Sequence, residues 1–172
     1  MGVSILNGRR MLAVDDEPDI LAVLRDELES HGVNLDLASS YEIGVQKLSS
    51  YTYDLVILDI MGVRGFELLE IAVTRELPVV MLTAHALSAE ALKKSVELGA
   101  RAYVPKDHID QIAPFLEDVL TLSYQSAWKK LFEKLGTVFG AHFGPDWRRS
   151  EKEFWDKFEK DLDLSESTII RS

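Results

Sequence analysis

Five short apolar runs, each followed by a stretch with helical spacing, constrain this chain more than any other feature. They are Met11–Val14, Leu35–Ala38, Leu55–Leu58, Val79–Leu82 and Ala102–Val104. The middle ones are continuous rather than alternating, as expected of parallel strands covered on both faces. Between the runs, Ile20, Val23, Leu24 and Leu28 share one helical face, and Gly32 is placed to stop that helix. Tyr41, Val45 and Leu48 mark a second helix, and Phe66, Leu69 and Val73 a third. Leu87, Ala91 and Leu92 lead into a fourth that ends before Gly99. Asp110 is placed to cap a fifth over Ala113–Leu122, where Pro114 is tolerated in the first turn. Five β–α units predict right-handed crossovers and one parallel sheet with helices on both sides. Ligands of such sheets bind beyond the carboxyl ends of the strands.

Those ends carry a particular set of polar residues. The first strand delivers Asp15 and Asp16, followed by Glu17 and Pro18; the third delivers Asp59; the fourth delivers Thr83; Lys106 comes shortly after the fifth. Carboxylates gathered on one sheet edge repel, and a hard divalent cation with oxygen ligands relieves that cost. Mg²⁺ takes one or two carboxylates, keeps several waters and leaves positions for phosphate oxygens. A lysine and a hydroxyl beside it suit a phosphoryl group, whose transfer needs charge neutralisation more than covalent help. Asp59, at a strand end, is the natural nucleophile for an acyl phosphate. Any one of these residues is by itself an ordinary cap or surface group, and the weight lies in their order along the chain.

On these residues, positions 9–120 resemble the receiver domain of two-component response regulators. The resemblance implies a flavodoxin-like α/β fold with strand order 2-1-3-4-5. It also implies Asp59 as phosphoacceptor, Asp15, Asp16, Asp59 and the Met61 backbone carbonyl as Mg²⁺ ligands, and Lys106 and Thr83 as the groups that serve the phosphoryl oxygens. Thr83 and Tyr103, the latter three residues before Lys106, match the switch positions. The implied partner is a histidine kinase or phosphotransfer protein, and the implied activity is phosphate acceptance with slow self-dephosphorylation, not enzymatic turnover. The sequence departs from the family after Asp59. Ile60-Met61-Gly62-Val63-Arg64-Gly65 is two residues shorter than usual and lacks the usual proline, and the short interval to Thr83 predicts that the third helix or its exit is trimmed. His85 stands two residues past Thr83, at a position that tunes dephosphorylation in the family.

The last third of the chain differs in kind. The net charge of −10 belongs wholly to residues 1–120, with 10 basic and 20 acidic side chains, whereas residues 121–172 hold 9 of each. Those last 52 positions also hold 9 of the 15 aromatic residues, including all three tryptophans. Trp128, Phe132, Leu135 and Phe139 lie on one helical face, with Gly140 and Gly144-Pro145 as breaks. Asp146 offers a cap for a second helix carrying Trp147, Phe154, Trp155, Phe158 and Leu162. The expectation is a helical hairpin over 121–164 and a frayed or disordered tail over 165–172. The hairpin serves either as a homodimer or partner surface exposing Trp128 and Trp155, or as a cover on the fifth helix.

Charge and composition bound the alternatives. The acidic balance argues against nucleic acid, since phosphate contacts need clustered Lys and Arg. A transcriptional regulator reading, with the last helices as DNA-binding output, is weakened by their neutral balance and by two helices where a helix-turn-helix domain has three. An aspartyl-phosphate phosphatase would present an Asp-x-Asp pair on the first strand, whereas Asp15 and Asp16 are adjacent. No cysteine is present, which excludes a disulfide framework and fits a reducing compartment. His31, His108 and His142 lack partners at metal-ligand spacing and read as surface or capping residues. No apolar stretch is long enough for a membrane span, and the short apolar start at Met1–Leu6 does not read as a signal peptide, so a cytoplasmic location is expected.

Overall fold

The polar residues at the strand ends can converge only if the strands run parallel, and they do. In the computed structural model, residues 4–84, 88–144, 146–149 and 152–171 are described, the side chains of 142 and 162–171 excepted. Strands β1 (Arg10–Val14), β2 (Asn34–Ala38), β3 (Leu55–Asp59), β4 (Val79–Thr83) and β5 (Ala102–Pro105) form one sheet in the order β2-β1-β3-β4-β5. All four pairings are parallel, and the register matches Val14 with Leu58, Asp59 with Leu82, and Thr83 with Pro105. Each strand therefore ends at nearly the same level, which sets Asp15, Asp59 and Thr83 along one edge. Every residue of β3, β4 and β5 is buried, as the continuous apolar runs require.

Helices α1 (Pro18–Ser30), α2 (Tyr41–Ser50), α3 (Gly65–Thr74), α4 (Ala89–Glu97) and α5 (Ala113–Thr121) cover the sheet. Helix α1 buries Leu21, Leu24 and Leu28, while Val23 is exposed and Ile20 half-buried. Its inward face is thus turned from the one the spacing suggests. Gly32 ends the turn after α1 at φ +81°, where a Cβ atom would fall on the Asn7 side chain. Before α5 the chain makes a 3-10 turn, Lys106–Gln111, which contains Asp110; Ile112, not Asp110, occupies the cap position, and no side chain caps the helix. Pro114 stands in the first turn, as expected. Leu87 and His85 lie outside the described residues.

After Leu122, Ser123 caps α6 (Tyr124–Phe143) by accepting the Ser126 N–H at 3.2 Å. Gly140 does not interrupt this helix; it stops at Gly144, with φ +92°. Asp146 opens a turn, its carbonyl accepting the Arg149 N–H, ahead of the described start of the next helix at Lys152. Helix α7 (Lys152–Arg171) is helical through 165–171, the stretch expected to fray. Pro145 and the Leu162 side chain lie outside the described residues.

The two outer strands meet different surroundings. Leu35, Asp36 and Leu37 of β2 are only half-buried, whereas all of β5 is buried beneath α6. Trp128 donates its indole N–H to the Ala100 carbonyl at 3.0 Å, and Tyr124 donates its hydroxyl to the Val96 carbonyl at 3.3 Å. Lys130 and Lys134 pair with Asp118 of α5 at 3.2 and 2.9 Å. The Lys93 ammonium of α4 sits 5.1 Å over the ring of Phe154 on α7. The hairpin is therefore a cover over α4, β5 and α5, and its apolar side chains join those of the sheet in one core. Trp128 and Trp155 are 0% and 1% exposed, so they do not form the exposed surface that one sequence reading allowed.

Candidate functional site

Strand β1 ends in Val14, and Asp15 follows it into the interior at the sheet edge. One of its oxygens, Oδ1, accepts the Glu17 N–H at 2.9 Å, a short loop bond that fixes the carboxylate before Pro18 opens α1. Its other oxygen, Oδ2, is buried and accepts no aligned hydrogen bond, although the Lys106 ammonium lies 2.9 Å away as an ion pair. Asp59, the last residue of β3, is 2% exposed. Asp16 is exposed at the rim. The carboxylates of Asp15, Asp16 and Asp59 each offer an oxygen, all within 4.8 Å of one another.

Lys106, at the start of the 3-10 turn after β5, reaches back across this edge. Its ammonium lies 3.1 Å from Asp59 Oδ1 and 3.2 Å from Glu17 Oε2, besides Asp15. Burial works against its charge, but the links to Asp15 and Asp59 prevail and hold the ammonium above its ordinary pKa. One cation does not balance the cluster. Asp59 is pushed up to about 6, first by burial and then by the negative charge of Asp15, with Lys106 opposing. Asp15 is raised as well, by burial, against the Glu17 N–H and Lys106. Such a group of buried, mutually repelling carboxylates costs free energy that a bound cation would recover.

The residues fit a divalent metal on this structure's own terms. Asp15 Oδ2 lacks an aligned donor, and the ligand atoms converge. Beside them Gly62, at φ +78°, leaves open the space by Asp16 in which a Cβ would sit 2.4 Å from Oδ2. The loop from Asp59 to α3 is tight. Gly65 begins α3 so close to β3 that a Cβ would lie 2.0 Å from the Asp59 carbonyl. Arg64 before it takes a left-handed φ of 54°, with its guanidinium 4.1 Å over the Tyr41 ring. Met61 is the most exposed large apolar side chain described, at 73%.

Thr83 ends β4, 6% exposed, and accepts the Tyr103 hydroxyl at 3.4 Å. Tyr103, fully buried in β5, packs its ring edge-on against Phe139 of α6, 6.0 Å between centroids. The structure thus gathers Asp15, Asp16, Asp59 and Lys106 at one point and couples Thr83 to Tyr103 on the adjoining strands. Glu17 is the residue that sequence reasoning did not single out. Its position in the Asp15-Asp16-Glu17 acidic run was the available signal.

A family model described as the response regulator receiver domain matches residues 11–114. The chain belongs to this family. Its curated relatives include the phosphate regulon transcriptional regulatory protein PhoB of Klebsiella pneumoniae, 35% identical over 104 residues, covering 57% of this chain and 45% of PhoB. The transcriptional regulatory protein CpxR of Escherichia coli is 32% identical over 105 residues, covering 59% of this chain and 44% of CpxR. The chain therefore spans less than half the length of these relatives. Among solved structures, the non-phosphorylated HemR receiver domain of Leptospira biflexa aligns with a TM-score of 0.59 at 31% identity, over 67% of this chain and 96% of that one. The receiver match ends at residue 114, so helices α6 and α7 lie outside it.

Proposed function

We propose that this receiver accepts a phosphoryl group on Asp59 from a phosphohistidine of a histidine kinase or phosphotransfer protein. The observation that carries the proposal is the meeting of buried Asp59 and Asp15 with Lys106, beside Asp16 at the rim. An Asp59 carboxylate oxygen attacks phosphorus, and the new O–P bond replaces the N–P bond. The imidazole nitrogen departs with the electron pair. Lys106, already 3.1 Å from Asp59 Oδ1, stays beside the transferred group and balances its oxygens. Asp15, Asp16, Asp59 and the Met61 carbonyl would hold Mg²⁺, which when bound neutralises the charge of the carboxylates and the phosphoryl oxygens. Glu17 keeps Lys106 from swinging into solvent before the phosphoryl arrives.

The acyl phosphate turns over slowly in this reading, so the chain acts as a cytoplasmic signalling protein rather than a phosphatase. Its output runs through protein contacts. That is supported by the neutral balance of the hairpin, which lacks the basic surplus that a nucleic-acid contact needs. A transcriptional role is the second reading, favoured by the names of PhoB and CpxR. Salt-dependent retention of the full chain on DNA would support it.

Beryllofluoride with Mg²⁺, which mimics a phosphoryl group on a carboxylate, tests the main reading. The wild type is expected to bind it, and Asp59→Asn is not. Equal binding by the two proteins would remove Asp59 from the role.

A further inference from the structure

The hairpin touches the route along which the site would signal. Thr83 stands one residue past Leu82, the register partner of Asp59 on the neighbouring strand. The Tyr103 hydroxyl lies 3.4 Å from Thr83 Oγ1; either hydroxyl can donate in such a pair, and with Tyr103 as donor Thr83 keeps its own proton for an acceptor. Tyr103 is held in this inward position by packing on Phe139. Phe139 is itself fully buried and fixed by Phe132, Phe143 and Trp147, at ring-centroid distances of 6.0, 5.6 and 6.5 Å. These contacts form an unbroken line from the strand beside Asp59 to the centre of the hairpin. A ring wedged against Tyr103 removes the conformational freedom the tyrosine would have at an uncovered sheet edge.

We propose that Phe139 is a positioning residue for phosphoryl binding: docked on Tyr103, the hairpin keeps Thr83 ready to donate to the phosphoryl group. This rests on the phosphoacceptor reading of Asp59 and adds to it a role for α6, which lies outside the family match. The relation is reciprocal. If docking of the hairpin strengthens phosphoryl binding, phosphoryl binding strengthens docking by the same factor. The hairpin also occupies the surface of α4, β5 and α5 itself, so a partner on that surface must displace it, and phosphorylation opposes that displacement.

The test is calorimetric titration of the full chain with Mg²⁺ alone and then with beryllofluoride in excess Mg²⁺. Phe139→Ala and Tyr103→Phe are expected to weaken beryllofluoride binding at least about fivefold, the low end of ordinary coupling between sites. Tyr103→Phe keeps the ring on Phe139 and removes only the hydroxyl, so it reports even if Phe139→Ala does not fold. Phe154→Ala disturbs the hairpin at a ring that packs on Trp155 and Phe158, and is expected to stay within about twofold of wild type. Mg²⁺ affinity is expected to be the same in all four proteins, since none of these substitutions alters a carboxylate ligand. Wild-type affinity in Tyr103→Phe, tighter binding in Phe139→Ala, or an equal loss in Phe154→Ala would each overturn the proposal. Failure of the wild type to bind beryllofluoride at all would instead overturn the phosphoacceptor reading.

Discussion

The carboxyl edge of the sheet and the hairpin over β5 are built on opposite rules. At the edge, three carboxylates lie within 4.8 Å of one another around one ammonium, and burial raises the proton affinity of Asp15 and Asp59. Over β5, rings from α6, α7 and the turn between them interlock at centroid distances of 4.8 to 6.5 Å. The edge is destabilised by its own groups and gains from a ligand; the hairpin is stabilised by its own groups and asks for none. Reactivity is thereby kept apart from the packing that supports it. The shared boundary is narrow: Thr83, Tyr103 and Phe139.

The hardest way to break this contrast is to remove the hairpin's anchor. Trp128→Ala deletes a fully buried indole and its bond to the Ala100 carbonyl. It is expected to cost about 3–5 kcal/mol, with a further contribution from the carbonyl left without its donor. Urea unfolding of the full chain measures the cost. Mg²⁺ affinity should change little in the protein that remains folded. A loss under about 1 kcal/mol would mean that the hairpin adds little to stability, far below a normal core truncation.

A smaller effect, of opposite origin, is expected at the edge. Asp59 binds its proton more tightly in the folded chain, at about 6, than its ordinary value of 3.8 allows. Its stabilising contribution is therefore complete at a pH below 3.8 and is lost as pH rises through about 6. A shift of two units corresponds to about 3 kcal/mol. Without divalent cation, the melting temperature should fall between pH 4 and 7 by more in the wild type than in Asp59→Asn. Saturating Mg²⁺ should restore it at neutral pH, because a cation that binds only the folded chain stabilises it by mass action. Identical pH profiles for wild type and Asp59→Asn would show that the edge carries no such cost.

The edge was far more legible in the sequence than the hairpin's placement. Continuous apolar runs ending in Asp15, Asp59 and Thr83 are local patterns, and a parallel sheet aligns them by its register alone. What the patterns could not supply were choices made by tertiary packing. Helix α1 carries Ile20, Leu21, Val23 and Leu24, enough for two overlapping faces, and its rotation on the sheet selects Leu21 over Val23. Gly140 reads as a breaker, yet Phe139 and Phe143 on either side are held by neighbouring rings, and these contacts exceed the roughly 1 kcal/mol cost of a helical glycine. Asp110 has cap chemistry, but the 3-10 turn that carries Lys106 back to Asp59 takes up the chain where the cap would form. The aromatic stripe on α6 announced burial without naming the surface that buries it, because its contacts with Ala100 and Tyr103 are distant in sequence.

The mildest expected effect separates charge from packing within the hairpin itself. Lys130 and Lys134 both reach Asp118, whose side chain is 14% exposed, while their own are 48% and 33% exposed. Partly solvated pairs of this kind are worth about 0.2–1 kcal/mol each. Lys134→Met keeps the aliphatic stem beside Phe115, over which the ammonium lies at 5.1 Å, and removes the charge. It should lower stability by less than about 1 kcal/mol at low salt and by almost nothing near 1 M salt, where the screening length is only about 3 Å. Trp128→Ala, by contrast, should cost as much at high salt as at low. If the two variants shared one salt dependence, the docking of α6 would be electrostatic at root. The separation of a charged edge from an apolar cover would then fail at the cover.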